Sequence, residues 1–315
     1  MKDTGQAHQN PDQAIDIDFL RTWIGKEQRR SDYVCPSGAT RISALLDRSD
    51  GLFRPGQAIP AAWYVMLFTA TEPQSQLGRD GHPRIGGFFP PVPLPKRMFA
   101  GRRITFHSDL VIGTEVLRES TISDVKLKQG KNGEMCFVTV RHQLFVDTTL
   151  LLTEEQDVVY RGEAIPSETS AKSGEASATS SAAWAKKKAA MPVELPAAQF
   201  QKTLFIDPTM LFRYSAITFN AHRIHYDLDY ARGVENYPGL VVNGGLTTLL
   251  LWDFAMLRTG EKIVASRSRN ICPLFVNDTV TLNLAIDKAS RQGWAWASNA
   301  QGETVILIEI QMGQQ

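Results

Sequence analysis

Two apolar stretches of helical length, residues 58–69 (AIPAAWYVMLFT) and 245–258, are each followed by segments that alternate apolar and polar side chains or carry β-branched ones. A helix that is apolar nearly all round cannot lie on a surface, so other structure has to cover it. The strands that follow are the available cover. The pattern predicts an α+β fold in which an antiparallel sheet wraps around a long central helix, twice over. In the first half a short amphipathic helix is expected at 17–24, and strands at 104–106, 115–128, 135–147 and 150–160. Asn132-Gly133 supplies a strong hairpin turn between two of them. In the second half, Asp207 and Pro208 open a helix over 207–216 as N-cap and first residue. The central helix there should end at Gly260. Strands are expected at 266–271, 279–286, 293–299 and 303–311, with a tight turn at 299–302.

Between the halves, residues 167–190 are mostly Ser, Ala, Lys and Thr. So little apolar surface cannot repay the entropy of ordering the segment, which reads as a linker, its Lys186–Lys188 run included. Lys and Arg number 34 against 33 Asp and Glu, a net charge of +1. That balance argues against nucleic acid or a membrane surface as partner, since both demand a basic excess. The longest apolar run, 246–257, contains Thr247, Thr248 and Asp253 and falls short of the ~20 residues that span a bilayer. Cys35, Cys136 and Cys272 are odd in number and far apart, so neither a disulfide framework nor a CxxC metal site is signalled. Residues 1–13 hold no apolar h-region. Reduced thiols and no signal peptide lead to the expectation of a cytoplasmic protein.

The chemistry-bearing stretch is 213–231, RYSAITFNAHRIHYDLDYA, where Asn220, His222, Arg223, His225 and Asp227 crowd together. Histidine is the side chain suited to proton transfer near neutral pH. His222 and His225 could also ligate a metal, but no further donor sits at ligand spacing, so no metal is expected. The alternative is a polar loop whose rings bond only to backbone. Residues 237–246, YPGLVVNGGL, then lead into the second apolar helix. The first amides of a helix are unpaired and carry partial positive charge. Gly244 and Gly245 at that position would let a ligand reach them, as an oxyanion hole requires.

Together these segments resemble the hydratase-2 (MaoC-like) motif, roughly Y-S-x-L-[ST]-G-D-x-N-P-L-H-x-D followed by G-x-[VI]-x-H-G. Tyr214, Ser215, Ile217, Thr218, His225, Asp227 and Gly244 fall on it. Asn220 stands where that family carries its catalytic Asp, His222 and Arg223 replace Asn-Pro, and Asn243 replaces the His before the glycine. FNAHRIHYD with YPGLVVNGG is similar to one branch, the type 2 hydroxyacyl-thioester dehydratases and the mesaconyl-C4-CoA (3-methylfumaryl-CoA) or itaconyl-CoA hydratases. Residues 93–116 resemble the first hotdog of the same proteins. The resemblance covers about 17–160 and 196–311. It implies a double hotdog, with a non-catalytic half at 1–165, a flexible linker at 166–195 and a catalytic half at 196–315.

The implied reaction is reversible syn addition of water to an α,β-unsaturated acyl-CoA. This is a carbon–oxygen lyase activity that needs no separate cofactor, coenzyme A being part of the substrate. The best specific expectation is mesaconyl-C4-CoA or itaconyl-CoA giving citramalyl-CoA. The resemblance makes His225 the general base and acid, and the Gly244 amide the oxyanion donor. Asn220 can orient water but cannot accept a proton. His222 either shares the proton work or is a structural hydrogen-bonder. Tyr214, Asn243 and Gly245 are expected against substrate. A free substrate carboxylate would need Arg223 or Arg213, which could equally hold the loop. Coenzyme A phosphates would draw on Arg97, Arg102, Arg103, Arg267 or Arg269, and only one of the adjacent Arg102 and Arg103 can face a ligand. His82 is expected on the surface, in a loop (78–95) that could act as a lid. His107 and His142 are expected to be sheet residues without a role. Rival readings are a dehydratase of fatty acid metabolism, a non-catalytic acyl-CoA-binding protein, and a thioesterase using Asp227. The partner expected is a small acyl-CoA, and the chain a monomer of two hotdogs or a homodimer.

Overall fold

A computed structural model describes residues 15–84, 87–130, 133–162 and 194–313. Ten strands form one antiparallel sheet, five from each side of the 163–193 interval. The first half gives β1 (Glu27–Tyr33), β3 (Lys96–Phe106), β5 (Glu115–Gly130), β6 (Gly133–Val146) and β7 (Thr149–Arg161). The second gives β8 (Phe200–Ile206), β9 (Lys262–Asn270), β10 (Asp278–Ile286), β11 (Gln292–Ser298) and β12 (Thr304–Gly313). The order across the sheet is β1-β5-β6-β7-β3-β9-β12-β11-β10-β8. The seam is β3 against β9, with Gly101 opposite Arg269 and Thr105 opposite Ala265. β2 (Ala58–Ile59) and β4 (Leu110–Val111) make a small separate pair. The expected linker, 167–190, and the Asn132 turn position lie outside the described residues, although β5 and β6 do pair as a hairpin with Gly130 opposite Gly133.

The second half matches the sequence reading in its opening and central helices and in four of its five strands, the edge strand β8 not having been expected. Helix α3 (Pro208–Ile217) opens on Asp207, whose Oδ1 accepts the Met210 amide at 2.7 Å. A six-residue helix, α4 (Leu228–Gly233), follows the histidine loop. The central helix, α5 (Gly244–Thr259), is wrapped by β9 to β12, and every residue from Leu246 to Ala255 is buried. It ends where Gly260 adopts φ +70° and its amide bonds to Met256 O at 2.9 Å. Each buried Leu, Phe or Trp there contributes roughly 1.5–3 kcal/mol of hydrophobic free energy. Two of the polar side chains inside this core find partners on other elements. Trp252 Nε1 donates to Ser266 Oγ at 2.9 Å, and the Asp253 carboxylate pairs with Arg48 of the first half at 2.7 Å.

The first half departs from expectation. Residues 58–69 are not a long α-helix: they give the short strand β2 and a 3-10 helix, Ala61–Met66. Pro60 lies between them with ψ 127°, outside the helical region, and proline disfavours helix in the residue before it. The helix that does pack in this half is α2 (Pro36–Leu45), which follows α1 (Ile17–Arg21), begins with proline and buries Ala39, Ile42 and Leu45. Hydropathy gives little sign of it, because PSGATRISAL is only mildly apolar. The edge strand β1, EQRRSDY, was also not expected. Charged residues guard sheet edges and blur the alternation.

Trp252→Ala should lower the unfolding free energy by about 3–5 kcal/mol in urea titrations, because a large ring leaves a core that can collapse only partly.

Candidate active site

Helix α3 ends at Ile217, and Phe219 turns the chain with φ +48°, a left-handed conformation that a bulky residue adopts only when its surroundings impose it. The histidine loop begins there. Asn220 Oδ1 accepts the His222 amide at 3.0 Å, so that oxygen braces the loop. Residues Arg223–His225 form one 3-10 turn. The His225 ring is buried, and its Nδ1 donates to Val241 O at 2.7 Å. A carbonyl can only accept, so the proton sits on Nδ1 and Nε2 keeps a free lone pair. Burial pulls the His225 pKa down to about 4, against a partial rise from the Val241 bond. The ring is therefore neutral across the physiological range, with the Nε2 lone pair free to accept.

Val241 also donates its amide to Ile224 O at 2.9 Å, and it lies three residues ahead of Gly244. The histidine is thus tied to the segment that delivers the helix start. Leu246 and Thr247 amides turn back to Asn243 O, whereas the Gly244 and Gly245 amides have no protein acceptor among the described residues. The Asn243 side chain is 4% exposed, and both its Oδ1 and its Nδ2 lack partners. Buried polar atoms are rarely left so, and a bound ligand is one means of satisfying them. His225, Asn243, Gly244 and Gly245 all line one cavity of about 2970 Å³, large enough for a coenzyme A thioester.

Tyr214 stands over the helix start. A Cβ on Gly245 would meet its hydroxyl at 2.2 Å, so glycine at 245 makes room for a tyrosine as well as for a ligand. Burial raises the Tyr214 pKa to about 12 despite the nearby Arg102. Arg102 itself is not at an entrance. It donates to Tyr64 Oη at 2.9 Å and lies 3.4 Å from Glu154, inside the cavity wall. Arg103 points to the opposite face of β3, shared with Arg267 across the seam, and although it too borders the cavity it pairs with Asp157 and Glu155. Arg97 lines the cavity, as do the exposed Arg267 and Arg269, which form no ion pair among the described residues.

Other candidate residues are held by protein partners or lie outside the cavity. Arg223 bonds to Asp227 through Nε (3.0 Å) and Nη2 (2.6 Å) and lies over the Tyr230 ring, so it holds the loop and is turned away from substrate. Arg213 is exposed on the outer side of α3. Asp227 is committed to Arg223 and to the Tyr230 amide as cap of α4, which removes the carboxylate that a thioesterase reading needs. His142 is a sheet residue, in β6, whose ring faces the cavity. It is buried beside Ser120 at 2.8 Å and lines the cavity, and burial pushes its pKa down to about 4.

His82 is half-buried rather than fully exposed, its side chain keeping 29% of its accessible surface. Its ring lies 4.0 Å from that of His222, which in turn lies 5.4 Å from that of His225. Asp80, His82 and His222 bring three donor atoms within 4.8 Å of one another. The ground for expecting no metal, the lack of a third donor, therefore falls: the donors come from the other half of the chain. The only sequence signal for them was the Gly/Pro-rich loop that carries Asp80-Gly81-His82.

A family model for hydroxyacyl-thioester dehydratase type 2 matches residues 63–276. The mesaconyl-C(4)-CoA hydratase of Chloroflexus aurantiacus is 41% identical over 295 residues, 92% of this chain and 97% of that protein. The chain belongs to the hydroxyacyl-thioester dehydratase type 2 family. It is a hydratase/dehydratase of the carbon–oxygen lyase class. Its fold is that of MaoC-like double-hotdog proteins. A MaoC-like dehydratase from Phytophthora capsici superposes with TM-score 0.67 at 12% identity, covering 95% of this chain and 99% of the other. A Mycobacterium tuberculosis protein described as having a double hotdog fold gives TM-score 0.57 at 14% identity over 92% of this chain and 96% of its own. No helix among the described residues is long and apolar enough to cross a membrane. Asn220, which the resemblance to the hydratase-2 motif places at that motif's aspartate, braces the loop in this structure.

Gly245→Ala should destabilise the protein, and Tyr214→Phe should relieve part of the loss, since the nearest ring carbon is then 3.2 Å away. Urea unfolding of both single variants and the double variant should give a favourable coupling of about 1 kcal/mol or more.

Proposed function

We propose that this protein adds water reversibly to the C4 thioester of a branched unsaturated dicarboxylate, mesaconyl-C4-CoA being the best candidate, to give citramalyl-CoA. The observation that carries the reading is the juxtaposition of a neutral histidine with a free Nε2 and two unbonded helix-start amides. The thioester carbonyl accepts from the Gly244 and Gly245 amides, with Asn243 beside them. His225 Nε2 takes a proton from water as oxygen attacks C3, and the charge that develops on the thioester oxygen is met by fixed dipoles in a buried site. A proton delivered to C2 on the same face completes syn addition. Asn220 keeps its amide NH₂ available to orient the water, its Oδ1 being bound to the loop.

Two features support a dicarboxylate-derived chain. One is the substrate printed in the name of the Chloroflexus relative. The other is Arg118, which lines the cavity with its Nε buried and unpartnered, and whose pKa burial and then Arg30 push down to about 10. A substrate carboxylate beside it would restore the balance of charge. Arg97, Arg267 and Arg269 suit the coenzyme A phosphates. The second reading is dehydration of plain 3-hydroxyacyl thioesters, the activity in the family's name. The proposal needs no cofactor beyond the coenzyme A of the substrate, places the enzyme in the cytoplasm, and asks for no second copy of the chain to complete the site.

His225→Ala should lower kcat by 100-fold or more, the usual scale of general acid–base catalysis (~10²–10⁴), while coenzyme A binding survives. The check is loss of enoyl absorbance with mesaconyl-C4-CoA and crotonyl-CoA side by side. Full activity in the variant would remove His225 from the mechanism, and preference for crotonyl-CoA would select the second reading.

A further inference from the structure

The hydration reading leaves one proton unassigned. His225 is neutral and can take a proton from water, but it has none to give at the start, and Asn220 has none to exchange. Position 220 carries no carboxylate, yet one does reach this site from the other half of the chain. Asp80 Oδ1 accepts the His82 amide at 3.0 Å, and Oδ2 lies 3.0 Å from His82 Nδ1. Burial alone would raise the Asp80 pKa, but the His82 ring and amide, with His222, outweigh it and hold the carboxyl at about 2. An ionised Asp on Nδ1 fixes the ring and leaves Nε2 as its working nitrogen.

The position of this dyad is built into the backbone. The loop closes on itself through Gly78 N to His82 O (2.7 Å) and Gly81 N to Gly78 O (3.0 Å). It then docks on the histidine loop: Asp80 O accepts the Arg223 amide at 2.9 Å and Arg79 O accepts Arg223 Nη1 at 3.2 Å. Gly81 has φ +87°, and a Cβ there would meet Ala221 O at 1.9 Å. Only glycine allows so close a backbone approach. The outcome is a row of three imidazoles, His82, His222 and His225, ending in a carboxylate at one side and a backbone carbonyl at the other. His82, His222 and His225 all line the cavity.

We propose that His82, oriented by Asp80, is a second catalytic residue, the acid that protonates C2, and that His222 relays protons between it and His225. The inference rests on the hydration reading above. Water loses a proton to His225 Nε2 as its oxygen bonds to C3. The C2=C3 π pair moves toward the thioester, and C2 then takes the proton on His82 Nε2. The cycle ends with one proton gained by His225 and one lost by His82, and one proton passing back through His222 restores both. No net proton is gained or lost, and no co-reactant is needed. The two rings have opposite duties because their Nδ1 partners differ, a carboxylate for His82 and a neutral carbonyl for His225.

The test compares full-length wild type with His82→Gln and His82→Ala, assayed for hydration of mesaconyl-C4-CoA and crotonyl-CoA. Both variants should keep the wild-type melting temperature and lose about 100-fold or more in kcat, with KM changed by no more than about 3-fold. Free imidazole should restore at least ~10-fold in the alanine variant, where a vacated ring space exists, and nothing in the glutamine variant. Such rescue follows from a missing proton carrier and not from a missing loop brace. The proposal is overturned if either variant keeps kcat within about 3-fold, if the loss falls on KM alone, or if imidazole has no effect on the alanine variant. It is also overturned if wild type purifies with one equivalent of a divalent metal whose chelation abolishes activity, which would assign Asp80, His82 and His222 to a metal. Should wild type hydrate no unsaturated thioester, the hydration reading itself fails, and this inference with it.

Discussion

Burial of helix α5 inside the sheet is the constraint from which the site follows. A helix sheathed on every side from Leu246 to Ala255 can meet a ligand only at its ends. At its start, the Gly244 and Gly245 amides have no acceptor in the protein among the described residues. Orphan donors at a helix start carry partial positive charge, and away from bulk solvent that charge is screened less. The sheet that stabilises the molecule therefore also positions its electrophilic dipole. The histidine loop is fastened to the same point through Ile224, Val241 and the Nδ1 of His225.

The two halves have diverged around a shared sheet. The second half keeps the swallowed helix. The first half has replaced it with a proline-broken 3-10 turn and the smaller helix α2, and it contributes cavity wall in exchange. Its inner face carries Arg102, Arg118, Ser120, His142 and Glu154, an unusual density of polar groups for a sheet interior. Charge is partly compensated there, by Arg102 against Glu154 and by Arg30 against Glu72. Arg48 with Asp253, Lys96 with Glu235 and Lys262 with Asp109 tie the halves across the seam. A cavity shared between halves needs such ties, because relative motion of even 1 Å would spoil proton-transfer geometry.

Local chemistry explains which expectations succeeded. Asp207-Pro208, Gly260 and the 299–302 turn act through their own backbone, so their effects could be read directly. The strands of the second half are rich in apolar and β-branched residues because they pack on α5, and β10 and β12 are buried along most of their length. By contrast, β1 is a charged edge strand, α2 is weakly apolar and Pro60 breaks an apolar stretch that otherwise looked helical. The arginines misled for another reason. A guanidinium in a sequence is a candidate for any anion, and Arg223 proved to be taken by Asp227 four residues on.

The sequence by itself determined the helix-start glycines, the histidine loop ahead of them and the strand-rich repeat. Each of these is local in chain position and dictated by backbone preference or hydropathy. Only the tertiary structure decided which groups meet. It brought Asp80 and His82 across more than a hundred residues to His222, placed Tyr214 against Gly245, and paired Arg102 with Tyr64 and Arg103 with Asp157. Contacts of that kind are set by how the β3–β9 seam aligns two separate loops, and no period or propensity along a single chain encodes that alignment.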